Sequence, residues 1–78
     1  MNKSPSRTTL SDEAYERCLQ IAFDYLAQNQ SIRNRQLREV SDITYDQAIY
    51  FFNRATEDHR LVRMGKSSGT YYVRGAAQ

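Results

Sequence analysis

The one change of period in this chain falls at His59. Before it, apolar residues recur at three- and four-residue spacings; after it, Leu61-Val62-Arg63-Met64 and Thr70-Tyr71-Tyr72-Val73-Arg74 alternate in steps of two. Between the two alternating runs stands Gly65-Lys66-Ser67-Ser68-Gly69, with glycine at both ends, where a chain reversal needs permissive backbone. The C-terminal element is therefore expected to be a β-hairpin with a polar, cationic tip. Everything ordered before it is expected to be helical, apart from one short extended segment.

Start and stop signals divide that helical part in three. Ser11 is a good N-cap, Asp12 and Glu13 suit the positive end of a helix dipole, and Leu10 is placed to pack on Tyr15 across the cap. Asp12, Glu13, Glu16, Arg17, Gln20 and Asp24 gather on one side of this helix, opposite Tyr15, Cys18, Leu19, Ala22 and Leu26, and its end is expected near Gln28-Asn29. Ile21, Phe23 and Tyr25 widen the apolar arc beyond what one neighbour covers, so the helix is either wrapped from two sides or meets a partner. Ser31-Ile32-Arg33 reads as a short extended segment. Asn34 is placed to cap a brief second helix through Val40, with Leu37 and Val40 inward. Ser41-Asp42-Ile43 makes a tight connection, and Thr44 with Gln47 three residues on has the form of a capping box opening a helix to about Asp58. In this third helix Ala48, Phe51, Phe52 and Ala55 fall inward, Asp46, Gln47, Tyr50, Asn53, Arg54 and Glu57 outward, and Tyr45 and Ile49 at the border. Helix, short strand, helix, turn, helix, hairpin is a winged helix-turn-helix order, an α+β fold.

Seventy-eight residues, 40% of them hydrophobic, can fill one modest core and leave no room for a second domain. Residues 1–9 hold the only proline and show no periodicity, so a flexible tail is expected there; the domain is expected over 10–74 and a second short tail over 75–78. No apolar run approaches the roughly 20 residues of a membrane-spanning helix, and the first residues lead into nothing resembling a signal peptide, so a cytoplasmic protein with no membrane partner is expected. Cys18 and His59 are the only cysteine and histidine, which leaves no internal disulfide and no ligand set for a structural metal. No serine or cysteine nucleophile has a histidine and a carboxylate in support, and no cofactor or small-molecule ligand is evident, so an enzyme is not expected. Charge is unevenly placed. Residues 1–30 hold three Lys/Arg against four Asp/Glu, net −1, whereas residues 31–78 hold eight against five, net +3. A basic part of this kind suits a polyanionic partner, although surface solubility alone also produces such imbalance.

Three short stretches carry a family resemblance, over Ser31 to Val73, 43 of the 78 residues. They are Ile32-Arg33-Asn34-Arg35 with Leu37, then Ile43-Thr44-Tyr45 with Ala48, and Leu61-Val62-Arg63-Met64-Gly65-Lys66 with Gly69-Thr70-Tyr71-Tyr72-Val73. The segment resembles the C-terminal winged helix of bacterial ATP-dependent helicase-related proteins and Schlafen-type AlbA regulators. That resemblance implies a double-stranded DNA-binding module, with the helix from Tyr45 in the major groove and Gly65 to Gly69 as the wing. It implies no helicase activity, because the chain lacks a phosphate-binding glycine-lysine loop. The chain departs from the pattern at His59, where such segments have glycine, and at Ala55, where they have a bulkier aliphatic residue. His59 is expected to adopt a left-handed cap conformation, and Phe51 and Phe52 to fill the space beside Ala55.

The candidate DNA contacts follow from that arrangement. Thr44, Tyr45, Gln47, Tyr50, Asn53 and Arg54 line the third helix, where Asn and Gln can pair with adenine, Arg with guanine, and Tyr50 can touch a thymine methyl or a phosphate. Arg33, Asn34 and Arg35 open the second helix and are placed to hold a phosphate. Lys66, Ser67 and Ser68 form the wing tip, placed to touch the minor groove or backbone phosphate, and Arg63 and Arg74 on the strands are either phosphate contacts, Arg63 foremost, or edge-strand charges that discourage aggregation. The function expected is sequence-specific DNA binding, as a small bacterial or phage-type transcriptional regulator or as a module of a larger protein, with a weak homodimer as a second partner. The rival reading is a winged-helix protein-interaction or dimerisation module without direct DNA readout; an RNA-binding winged helix is a third.

Overall fold

The chain is seen in a computed structural model that describes residues 8–66 and 69–75. Ser11 caps α1 (Asp12–Gln28), its hydroxyl accepting from the Ala14 N–H at 3.1 Å. The extended residue Ile32 leads to α2 (Asn34–Ser41), three connecting residues follow, and α3 (Tyr45–Glu57) comes next. Strands β1 (Leu61–Met64) and β2 (Tyr71–Arg74) form an antiparallel hairpin in the register Leu61–Arg74, Val62–Val73, Arg63–Tyr72 and Met64–Tyr71. Ile32 bonds to the free edge of β2, donating to and accepting from Tyr72 at 2.9 Å each way, and so ties the start of α2 to the hairpin. The fold is thus a small α+β domain of three helices and a two-stranded sheet. The Ser67 and Ser68 expectations, and most of both expected tails, lie outside the described residues.

The helix ends are built as the local sequence requires. Thr44 Oγ1 accepts from the Gln47 N–H at 3.0 Å while Gln47 Oε1 accepts from the Thr44 N–H at 2.9 Å, closing a reciprocal capping box that satisfies two otherwise orphaned donors. At the other end of α3, His59 has φ 63°, the Arg60 N–H donates to the Ala55 carbonyl at 2.9 Å and the His59 N–H to Thr56 at 3.1 Å. These two bonds make a Schellman stop, with histidine in the left-handed position usually taken by glycine. Asp42, at φ 62°, ends α2 in the same left-handed region. In the hairpin, Gly65 is required: its φ is +78°, and a Cβ there would stand 2.3 Å from the Gly69 carbonyl oxygen.

The core is a single cluster of Tyr15, Cys18, Leu19 and Ala22 from α1, the extended Ile32, Leu37 from α2, Ala48, Phe51, Phe52 and Ala55 from α3, and Leu61 from β1, with the partly buried Tyr72 of β2 packed against it. Ile21, Phe23 and Tyr25 pack around its margin, so the broad apolar arc of α1 serves several neighbours at once. The adjacent aromatics of α3 divide the work. Phe51 leans on Tyr15 of α1 with ring centres 5.5 Å apart, whereas Phe52 stacks face to face on Tyr72 of the hairpin at 3.9 Å and 7°. Both rings are buried in the same cluster as the small Ala55.

Two expectations need correction. The N-cap of α2 is Arg33, not Asn34; the Arg33 N–H is satisfied by Gln36 Oε1 at 2.9 Å, and Asn34 is already helical. Val40 does not turn inward with Leu37 but is 48% exposed, because with Ile21 and Tyr25 of α1 it lines an open groove rather than closing it. No helix among the described residues is long and apolar enough to cross a membrane.

Candidate nucleic-acid interface

The buried stripe of α3 leaves two flanks and a ridge between them. One flank faces α1, the other faces the hairpin, and the ridge carries the exposed acids Asp46 and Glu57. Each candidate contact on α3 falls on one of these surfaces, and the chemistry of the two flanks differs.

On the α1 flank the polar side chains are already engaged. Gln47 spends its carbonyl on the capping box and donates its amide to the Thr9 carbonyl at 3.2 Å. The Arg54 guanidinium lies 4.1 Å from the centre of the Tyr15 ring, sits 3.0 Å from Asp12 of α1, and approaches the Tyr50 hydroxyl at 3.4 Å. Arg54, expected outward beside Asn53, is therefore a clamp between α3 and α1. Helical angle alone placed it outward; only the docking of α1 brings an aromatic ring and a carboxylate 39 and 42 residues away in sequence against it. Below it the Tyr15 hydroxyl donates to Asp58 at 3.0 Å, and burial together with that carboxylate holds the Tyr15 phenol well above its ordinary value. Arg60 is likewise taken up, 3.6 Å from Glu16.

The hairpin flank is open. Tyr45, Ile49 and Asn53 follow one another at four-residue spacing along α3, with Tyr45 58% and Ile49 38% exposed. They form one wall of a cleft of about 290 Å³ whose other walls are Asn34 at the start of α2 and Arg63 and Thr70 on the hairpin, over a floor of Phe52 and Tyr72. Arg63 enters the cleft because its cross-strand partner is Tyr72, on the face that meets α3. Arg38 lies at the rim, 5.5 Å from the centre of the Tyr45 ring, and donates to Asn34 Oδ1 at 2.6 Å. Among the described residues neither Arg38 nor Arg63 has a carboxylate within 4 Å. Burial pushes the Tyr72 phenol up, so it remains neutral beneath these cations.

The stretch Arg33-Asn34-Arg35, expected to act together, is divided three ways. Arg33 reaches the opposite face of the hairpin, 5.9 Å from the centre of the Tyr71 ring; Asn34 holds Arg38; and Arg35 pairs with Glu39 at 3.3 Å on the exposed side of α2. Arg74 covers Phe23 of α1 at 4.7 Å, away from the cleft. Lys66 is exposed at the end of the hairpin. Arg38 and Thr70 were not identified from the sequence. Arg38 lies one turn after Asn34, a spacing that allows their contact, but nothing local shows that Tyr45 will fold back beneath it. Cys18 is buried in the core, where burial raises its thiol pKa, and the described residues contain no group of three metal-ligating side chains.

Comparison with protein-family models, with curated proteins and with solved structures finds no match to this chain.

Proposed function

We propose that the domain binds double-stranded DNA in the manner of a winged helix-turn-helix, α3 entering the major groove and the hairpin lying along the backbone, as a small regulator or as the DNA-binding module of a longer protein. The observation that carries this reading is the distribution of arginines. Arg54 and Arg60, on the α1 side, are matched by Asp12 and Glu16, while Arg38 and Arg63 stand at the open cleft without a carboxylate partner among the described residues. Unmatched cations beside a protruding helix and a hairpin form a surface complementary to phosphate, and Asn34, Tyr45, Asn53 and Thr70 supply polar groups between them. The α+β order and the sequence resemblance agree with this assignment.

Titration of a random duplex at several salt concentrations tests it. Affinity is expected to fall steeply with salt, and Arg38→Ala and Arg63→Ala each to reduce the slope by about one unit, whereas Arg60→Ala leaves it unchanged. No binding near about 50 mM salt, or a flat salt dependence, overturns the proposal.

One observation favours a second reading. The groove lined by Ile21, Tyr25 and the exposed Val40, together with Asp24, Gln28 and Asn29, is partly apolar and lies apart from the cleft, where it suits an apolar side chain of a protein partner, a second copy included. Sedimentation of the free and DNA-bound domain distinguishes a monomer from a dimer.

A further inference from the structure

We infer that α3 reads adenine–thymine pairs, Asn53 taking the adenine edge and Ile49 the thymine methyl; this rests on the proposed DNA-binding function and specifies what its site recognises. In the major groove guanine presents two acceptors, N7 and O6, and is read by a pair of donors from arginine or lysine. The sequence of α3, Tyr45 to Glu57, holds one basic residue, Arg54, and its guanidinium is occupied by Asp12, the Tyr15 ring and the Tyr50 hydroxyl. Gln47, the other side chain able to pair with a base through two bonds on the α1 flank, is occupied by Thr44 and Thr9. What α3 offers from its hairpin flank is a phenol, a branched aliphatic group and an amide, at Tyr45, Ile49 and Asn53.

Those groups match one base pair and not the other. An asparagine amide donates to adenine N7 and accepts from adenine N6, and the Asn53 side chain has no hydrogen-bond partner among the described residues. Ile49 stands one turn before Asn53, 38% exposed beside the floor of Phe52 and Tyr72. The C5 methyl of thymine is the only apolar group that either base pair shows in the major groove, and it lies on the same edge as the adenine N6 and N7. An exposed isoleucine next to a free amide is therefore complementary to an A·T pair and leaves a G·C pair with an unfilled apolar contact. Arg38 and Arg63 flank this strip and are left for phosphate, which carries no sequence information.

The experiment is selection of bound sequences from a random duplex library by the unaltered chain, followed by anisotropy titrations of a selected duplex with base analogues. A·T pairs are expected to be enriched at the centre of the site. Replacing the relevant thymine by deoxyuridine, which removes only the methyl, is expected to weaken binding roughly three- to fivefold, the size set by burying one methyl group. Replacing the adenine by 7-deazaadenine is expected to weaken it roughly fivefold or more. Ile49→Ala should lose the response to deoxyuridine but keep that to 7-deazaadenine, and Asn53→Ala the reverse. The analogues alter the DNA and not the protein, so the first test does not depend on any variant folding. Equal affinity for thymine and uracil duplexes, or enrichment of G·C pairs read through Asp46, overturns the inference while leaving DNA binding intact. Absence of any duplex binding removes the proposed function and this inference together.

Discussion

The two flanks of α3 are made from the same kinds of residue and put them to opposite use. Towards α1, an arginine, a glutamine and a tyrosine are consumed in holding helices together, through Asp12, Tyr15 and Thr9. Towards the hairpin, arginine, asparagine and tyrosine line an open cleft. Residue type does not distinguish the two; the presence of an acidic helix does. The amphipathic α1 carries its carboxylates at Asp12 and Glu16 to the positions where Arg54 and Arg60 emerge, whereas among the described residues no carboxylate lies within 4 Å of Arg38 or Arg63. An exposed ion pair contributes little to stability, generally below 1 kcal/mol, but it removes a cation from the surface that a polyanion would meet. The acidic face of α1 thereby takes up two arginines beside α3 and leaves those at the cleft available.

The largest effects are expected at the two phenylalanines from which the flanks hang. Phe52→Ala deletes the ring stacked on Tyr72 and is expected to cost roughly 3–5 kcal/mol, as large-to-small substitutions of buried aromatics do. Phe51→Ala should cost a similar amount. Urea unfolding measures both, and DNA titration of the fraction still folded separates them: Phe52→Ala removes the cleft floor and weakens binding, Phe51→Ala does not. Equal binding by both variants would show that the cleft is not the contact surface.

A smaller effect is expected at the hairpin loop. Gly65→Ala places a Cβ against the Gly69 carbonyl at a φ of +78° and should cost on the order of 2 kcal/mol, since the left-handed region alone disfavours an L-residue by about 1–2 kcal/mol. Gly69→Ala meets nothing within 4 Å and should be close to neutral. Thermal melting of the two variants checks the contrast.

Tyr15→Phe tests the α1 flank alone. It removes the bond to Asp58 while keeping the ring under Arg54 and is expected to cost about 1 kcal/mol near neutral pH. It also alters the alkaline limb. The folded phenol holds its proton more tightly than the unfolded one, which releases it near about pH 10. The Tyr15 contribution is therefore fully present below that pH and is lost as pH rises through the higher folded value. Tyr72 is raised in the same direction, so the variant should flatten only part of the loss in a stability-against-pH series. An unchanged alkaline limb would mean that neither burial nor Asp58 holds the phenol protonated in the folded domain.

The least effect on binding is expected from Arg54→Ala. Because its guanidinium braces Tyr15 and Asp12, its loss should lower the melting temperature and leave the preference among DNA sequences as it was. Loss of base preference with unchanged melting would return Arg54 to the groove and reverse the assignment of the two flanks.

Local chemistry was legible in the sequence. The caps at Ser11 and Thr44, the left-handed stop at His59, the change of period after it and the glycine that turns the hairpin all depend on residues within a few positions of one another. The inward faces of α1 and α3 were legible for the same reason, since a helix of known phase fixes which side chains share a side. What the tertiary structure decided was which polar residues remain available. Arg54 and Arg63 are both basic residues on the margin of a regular element, and no local rule ranks one above the other. Their fates separate when α1 lays Asp12 beside the first, while β2 sets Tyr72 opposite the second and turns it into the cleft. Those contacts join residues 42 and 9 positions apart, and Val40 is left uncovered for the same kind of reason, by the path of α1 past α2. Backbone propensities act over a turn or two of chain, whereas the pairing of charges is settled by where whole elements dock.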